Sequence, residues 1–228
     1  MKWISNFLSG LFLQNSLMEP VERLLLKVSW RLPPDWFHYD RFVVMSYCIV
    51  QSFLSTRRLK SVNTRLAEPS DIPALHRLVD RRNEYTDRFK KGDKAIIAEQ
   101  NGQVIGMLWV ESGKLHDEIK YDYQFSLSHD FVWTYDGYVL PSWQIKGVWV
   151  SIIDTLRCYM RQNFFSDTYC MINGLNRHSI NSHLRYGYKV RRQIIFLRFY
   201  ALQIHLERNL DSTAKSHDWK IKIYRSVR

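Results

Sequence analysis

Tyr138-Val-Leu-Pro-Ser-Trp-Gln-Ile-Lys-Gly147-Val-Trp-Val-Ser-Ile-Ile-Asp-Thr-Leu-Arg-Cys-Tyr-Met160 is the stretch on which the fold turns. The residues up to Leu140 read as the end of a strand, Pro141 stops it, and a short loop leads to a helix beginning near Gly147. The first N–H groups of such a helix have no partner inside it and lie at its positive end, so they form a ready anion site. Lys146 adds a cation, and Gly147 lets a phosphate come close to the main chain. Taken alone, the same residues also describe an ordinary strand-to-helix connection.

Further along stands Asn176-Arg-His-Ser179-Ile-Asn-Ser-His183-Leu-Arg-Tyr-Gly187-Tyr188, where Asn176 and Ser179 suit a helix start and Gly187 a helix stop. Working outward, Thr64–Ala67 reads as a short strand, and Pro69-Ser-Asp71 caps a helix reaching about Asn83, with Leu75, Leu78 and Val79 on one face. Ala95–Glu99 and Val104–Val110 are strands joined through Asn101-Gly102, a strong hairpin signal. After a polar stretch come a strand at Phe131–Leu140, the helix Gly147–Gln162 and a strand at Thr168–Ile172. A short helix at Ser179–Arg185 and a strand pair or one long strand at Lys189–Tyr200 complete the series. That order predicts an α/β (α+β) domain with a mixed, mainly antiparallel sheet flanked by helices.

The termini read differently. Met1–Leu17 places Trp3, Ile4, Phe7, Leu8, Leu11 and Phe12 at helical spacing, an amphipathic segment that either docks on the core or lies on a membrane surface. A second short helix at Val21–Val28 ends before Pro33-Pro34, a strand follows at Arg41–Val50, and Gln51–Asn63 reads as a linker. The division expected is an N-terminal extension over 1–61, a core over 62–200 and a basic tail over 201–228.

The chain has 228 residues, with 33 Lys and Arg against 22 Asp and Glu, a net charge of +11. Apolar content of 46% and aromatic content of 14% exclude a disordered chain. Such a charge points to nucleic acid, anionic lipid or a polyphosphate ligand without choosing among them. Cys48, Cys158 and Cys170 form an odd set with no CxxC pair, which argues against a disulfide framework and suits a cytoplasmic setting. No apolar run approaches the roughly 18 residues of a membrane span. His178 and His183 are too far apart to share a helix face, and His116-Asp117-Glu118 reads as solvated loop, so no metal site is expected.

Together, the two segments resemble the GCN5-related N-acetyltransferase (GNAT) superfamily. Val139-Leu-Pro141-Ser-Trp-Gln144-Ile-Lys-Gly147-Val-Trp149 looks like the family's pyrophosphate loop, and Asn176, Ser179, His183 and Gly187-Tyr188 look like its later pattern. The resemblance covers about Thr64 to Tyr200 and implies transfer of an acetyl group from acetyl-CoA to an amine, the acceptor being a small molecule or amino sugar. It implies that the Gln144 side chain and the N–H groups of Lys146, Gly147, Val148, Trp149 and Val150 cradle the diphosphate, with Ile145 in the same cofactor-binding loop. Tyr138 and Val139 would hold the pantetheine arm, with Asn176 and Ser179 completing the cofactor site. Asp136 is the first candidate base and Glu111 the second; His183 is the candidate acid. Tyr186 and Tyr188 stand in reserve.

Two residues depart from the pattern. Trp149 replaces a Gly or Ala and either crowds the diphosphate or turns into the fold, while Ile145 replaces a frequent Gly. The stretch Ser112–His129 is expected to shape the acceptor side. An acyl-CoA-binding sensor without turnover, and a basic module for membrane surfaces or nucleic acid, remain alternatives. The leading expectation includes no nucleic-acid partner, peripheral membrane contact through the first helix, and a homodimer as an open arrangement.

Overall fold

A computed structural model describes residues 15–34, 36–49, 61–113, 115–211 and 219–225. The helix expected at Met1–Leu17 therefore lies outside the described residues up to position 14. The elements are helix α1 (Asn15–Arg31), strands β1 (Phe37–Cys48) and β2 (Asn63–Leu66), helices α2 (Ile72–Leu78) and α3 (Glu84–Lys91), and strands β3 (Lys94–Gln100) and β4 (Gln103–Glu111). Then come β5 (Leu115–Glu118), β6 (Tyr123–Ser126), β7 (Phe131–Val139), helix α4 (Val148–Gln162), β8 (Asp167–Asn173), helix α5 (Arg177–Arg185), β9 (Lys189–Phe199), β10 (Leu202–Asn209) and β11 (Trp219–Arg225). The class is mixed α/β with mainly antiparallel strands, as the sequence predicts.

The chain divides into two compact units. The larger comprises Ser46–Cys170 and Arg185–Tyr188; the smaller comprises Met1–Met45, Met171–Leu184 and Lys189–Arg228.

In the larger unit the strands run in the order β8-β7-β4-β3-β2. β2, β3, β4 and β7 pair antiparallel, whereas β7 and the start of β8 pair parallel. Alternation along β3 splits the interior into two layers. Ile96 and Ala98 face α4, packing with Ile105, Leu108, Val110, Ile152, Leu156 and Met160. Ala95 and Ile97 face α2 and α3, packing with Leu75, Leu78, Tyr85, Met107 and Trp109. Burying each such large side chain contributes about 1.5–3 kcal/mol. The Asn101-Gly102 turn has φ of 49° and 76°, the pair of positive values that a type I′ hairpin demands.

The single helix expected from Pro69 to Asn83 breaks in two. A 3₁₀ turn at Pro69–Asp71 leads into α2, which stops at Leu78. α3 then starts at Glu84 and places Tyr85 and Phe89 against Trp109, at 5.6 and 5.1 Å between ring centroids. Within the stretch 112–129, β5 and β6 pair as a hairpin with Tyr121, Tyr123, Phe125 and Leu127 buried, so its alternating aromatics are core residues.

In the smaller unit the order is β11-β10-β9-β1, with β9, β10 and β11 pairing antiparallel. Leu26, Tyr39, Ile195, Ile204 and Leu206 form its core. Buried Glu22 forms an ion pair with Arg41 at 2.8 Å and accepts from the Tyr39 hydroxyl at 3.2 Å, so its charge is paired. Segment 201–228, expected as a basic tail, contributes β10 and β11. Ile204 and Leu206 alternate with Gln203 and His205, and all four are buried; the basic composition masks this period-2 pattern.

Candidate active site in the larger unit

Strand β7 is the spine of the site. One of its edges pairs with β4 as far as Gly106↔Val139, whereas the opposite edge pairs with β8 only through Phe131↔Asp167, Val132↔Thr168 and Trp133↔Tyr169. From Tyr135 to Val139, β7 therefore has no register partner in β8 among the described residues. Tyr138 and Val139, to which the resemblance assigns the pantetheine arm, lie on this stretch.

Beyond it the chain is pinned by Leu140 N–H to the Ile105 carbonyl at 2.9 Å. A 3₁₀ turn at Pro141–Trp143 follows, then a turn over residues 144–147, and α4 begins at Val148. Ile145 (φ 59°) and Gly147 (φ 82°) are both left-handed. At Gly147 this conformation carries no penalty, whereas at the β-branched Ile145, exposed at 92%, it is strained. The loop thus retains the backbone that a glycine would favour without having the glycine. A turn of this kind aims successive N–H groups toward one side, and Val148, Trp149 and Val150 add the orphan N–H groups of a helix start. Lys146 Nζ lies 4.9 Å from the Trp143 ring centroid, beside this turn. These residues fit a diphosphate. The Gln144 amide donates to the Val139 carbonyl at 3.3 Å, bracing the turn from within.

Trp149 turns into the fold. Its ring lies so close to Gly137 that a Cβ there would sit 2.7 Å from Cη2 of the indole. The bulk at 149 is accommodated by the missing side chain at 137. Asp136 and Gly137 together oppose Leu108 in a β-bulge, and Asp136 is left-handed with φ of 47°. The bulge aims the Asp136 carboxylate at two guanidinium groups, Arg81 Nη2 and Arg88 Nη1, each donating at 2.7 Å. Arg88 also lies over Trp109 and Tyr135, at 5.0 and 4.9 Å from their centroids. Beside Arg81 an open concavity of about 400 Å³ is lined by Asp80, Arg82, Asn83, Glu84 and Asp87.

Glu111, the other carboxylate, is buried at the end of β4 opposite Trp133. It accepts from Lys91 Nζ and from His116 Nδ1, and His116 Nε2 donates to Glu118 at 3.1 Å. Both imidazole nitrogens thus face carboxylates, the pattern of an imidazolium. His116 also stacks on Trp133 at 4.5 Å. Burial disfavours the His116 cation, but Glu111 and Glu118 outweigh it and hold the group above its ordinary value. Burial likewise opposes ionisation of Glu111, yet bonds from His116 and Lys91 hold its carboxyl below the usual range. The solvated loop expected at His116-Asp117-Glu118 is therefore a buried ionic network, because β5 folds back onto the sheet. Nearby, the Tyr135 hydroxyl donates to Asp93 at 2.6 Å; burial raises Asp93, and burial with Asp93 raises Tyr135.

The remaining sequence candidates lie on α5 in the smaller unit. The Asn176 side chain accepts from Ser179 N–H at 3.0 Å, an N-cap. His183 is buried and donates from Nδ1 to the Ser179 carbonyl at 2.8 Å. Burial lowers its pKa, so the imidazole is neutral near pH 7. In the larger unit, Tyr188 stacks on Tyr47 at 5.4 Å, and burial raises its hydroxyl well above the ordinary value. Arg81, Arg88, Asp93, His116 and Tyr135 were missed by sequence reasoning. The one local signal was His116 alternating with Glu118, and then Tyr121, Tyr123, Phe125 and Leu127, at period two. Among the described residues no cluster of His, Cys, Asp and Glu is arranged to hold a metal.

No protein-family model matches the sequence, and no curated protein matches it. Solved structures do match. A GCN5-related N-acetyltransferase from Sphaerobacter thermophilus superposes with a TM-score of 0.53 at 12% identity, over 92% of this chain and 71% of that one. The glucosamine N-acetyltransferase region of a fungal multi-domain β-N-acetylglucosaminidase gives 0.51 at 17% identity, over 71% of this chain and 21% of that one. A GCN5-related N-acetyltransferase from Kribbella flavida gives 0.50 at 10% identity, over 71% and 59%. This chain thus spans less than two thirds of the latter two. The fold is that of the GNAT superfamily.

Proposed function

We propose that the protein is an N-acetyltransferase that moves an acetyl group from acetyl-CoA to the primary amine of a small-molecule or amino-sugar acceptor. One observation carries this reading: a left-handed turn at Ile145–Gly147, with Lys146 at its centre, feeds a helix N-terminus directly after a strand whose far edge is unpaired with β8. Acetyl-CoA, when bound, supplies the acetyl group as an activated thioester. The chain's own part is to hold the diphosphate at Ile145 to Val150, to receive the acyl arm along Tyr138 and Val139, and to take the amine's proton.

For that proton we assign Glu111 ahead of Asp136. Asp136 is bound by the guanidinium groups of Arg81 and Arg88, which stay charged at any working pH and so have no proton to exchange. Glu111 is bound to His116, a group able to exchange a proton near neutrality. Asp136 then positions Arg81 and Arg88 at the acceptor side. The two fungal and bacterial acetyltransferase neighbours support acetyl transfer in general, and the fungal one, titled a glucosamine N-acetyltransferase region, motivates the amino-sugar acceptor.

Calorimetric titration with acetyl-CoA tests the binding half. Saturable heat that is lost in Gly147→Val and weakened in Lys146→Glu supports the assignment; no heat with the native chain overturns it. Release of free CoA over a panel of amino sugars and small amines tests turnover. Binding without release from any amine converts the reading to a sensor.

A further inference from the structure

Helix α1 carries apolar residues on the face where a docked surface helix is expected to be polar. Glu22, Leu26 and Ser29 are buried, whereas Arg23, Leu24, Lys27, Trp30 and Arg31 are exposed. Leu24 is 61% exposed and Trp30 77%. Interleaved with them stand Arg23, Lys27 and Arg31 at four-residue spacing, and residues 23–34 include no acid. After the helix the chain bends sharply, with Trp36 N–H on the Pro33 carbonyl at 2.8 Å, and Leu32, Pro33, Pro34 and Trp36 all remain exposed.

The patch continues across the β9–β10 turn of the same unit. Tyr200 N–H donates to the Trp36 carbonyl at 3.1 Å, and the two rings lie 5.6 Å apart. Phe199 meets Tyr200 edge-on at 5.0 Å, and both are about half exposed. Large apolar side chains gathered in water mark a surface meant to be covered. Trp and Tyr combine an apolar body with a polar tip, which suits the headgroup level of a bilayer. A helix face that mixes Trp and Leu with Lys and Arg is the pattern of an interfacial helix, and the cations suit anionic lipid. A second copy docking face to face would bring Arg23, Lys27 and Arg31 toward their own kind, so charge opposes that occupant. Among the described residues no helix is long and apolar enough to cross a membrane.

We propose that this belt, formed by Trp30, Leu32, Trp36, Phe199 and Tyr200 with Arg23, Lys27 and Arg31 beside it, is the surface on which the protein rests on an anionic lipid bilayer. The contact is peripheral, with the rings among the headgroups and the cations over the lipid phosphates. It is independent of the acetyltransferase reading.

Co-sedimentation of the full chain with phosphatidylcholine vesicles, alone and mixed with phosphatidylglycerol, tests it, with tryptophan emission as a second readout. Binding to the mixed vesicles, accompanied by a blue shift, and little binding to the neutral ones are expected. Lys27→Gln is expected to lower partitioning about fivefold, the loss of one cation's attraction to an anionic leaflet. Leu24→Ser combined with Trp30→Ser is expected to lower it by about tenfold or more, with thermal unfolding unchanged because both side chains are exposed. Failure of the native chain to bind mixed vesicles overturns the proposal. So does undiminished binding of the double variant, which would place the contact elsewhere in the chain. Loss of a solution dimer in the double variant, where the native chain ignores vesicles, would make the belt a contact between copies.

Discussion

The two faces of the β2–β3–β4–β7 sheet are built on opposite plans. The face under α4 is mainly apolar, with Ile96, Ile105, Leu108, Ile152, Leu156 and Met160 in one cluster and hydroxyl groups such as those of Thr64 and Thr155 among them. The face under α2, α3 and the β5–β6 hairpin interleaves aromatic rings with Asp93, Glu111 and His116, all three buried, and with Arg88 across Trp109. Buried charges are expensive and rarely improve stability over apolar packing of the same volume. A sheet that confines them to one side therefore separates two kinds of interior. One face is packed almost wholly by apolar side chains, and the other combines apolar packing with the buried ionisable groups.

That separation can be broken by substitution. The largest effect is expected on the polar face: Glu111→Gln keeps the shape and removes the proposed base, so the proposed acetyl transfer should fall about 10²–10⁴-fold with the circular dichroism spectrum unchanged. Retained turnover would mean that the polar face does no chemistry. On the other face, Leu156→Ala should cost about 3 kcal/mol in denaturant unfolding while turnover per folded molecule stays native. Gly137→Ala joins the two plans, because its methyl meets the Trp149 indole. It should cost about 1–3 kcal/mol by overpacking, and adding Trp149→Leu should restore much of that. Additive losses would show that the two residues do not share the space. Ile145→Gly, in the loop between the faces, should gain about 0.5 kcal/mol in thermal unfolding, since relief of left-handed strain exceeds the glycine's added chain entropy.

The smallest effect is spread over pH. His116 is held above its ordinary 6.5, so its contribution is complete below that value and is lost as pH rises through the folded value. Glu111 is held below its ordinary 4.5, so its contribution is complete above that value and is lost as pH falls through the folded one. The pair thus supports the fold best between those two ordinary values. Chemical denaturation across pH should show a shallow maximum there that His116→Gln flattens.

What could be read from the residues was local. Asn101-Gly102 announced a hairpin and has the two positive φ angles, and Pro141 with Gly147 bracketed a loop whose turn the structure shows. β3, β4, β7 and α4 fall within a residue or so of their expected bounds because turn chemistry and periodicity agree there. The polar face was not legible for a physical reason: its partners are brought together by pairing, not by spacing. Asp136 meets Arg81 and Arg88 across 55 and 48 residues, and the bulge that aims it exists only once β7 is in register with β4. α3 was hidden by its own composition, since Glu84–Lys91 is mostly charged and its two aromatics count only against Trp109. His116 and Glu118 read as solvent-facing until β5 pairs with β6.

The order in which the chain is made adds a last consequence. In the smaller unit β1 lies beside β9, yet about 140 residues separate Cys48 from Lys189. At roughly 5–20 residues per second of synthesis, β1 emerges from the ribosome about 7–28 s before β9 exists. Residues 46–170 can meanwhile collapse as a nearly continuous piece. Val44 and Met45, buried in the finished protein, spend that interval without β9. Such a strand is a natural client for a holding chaperone, and its exposure makes yield during expression sensitive to temperature and elongation rate.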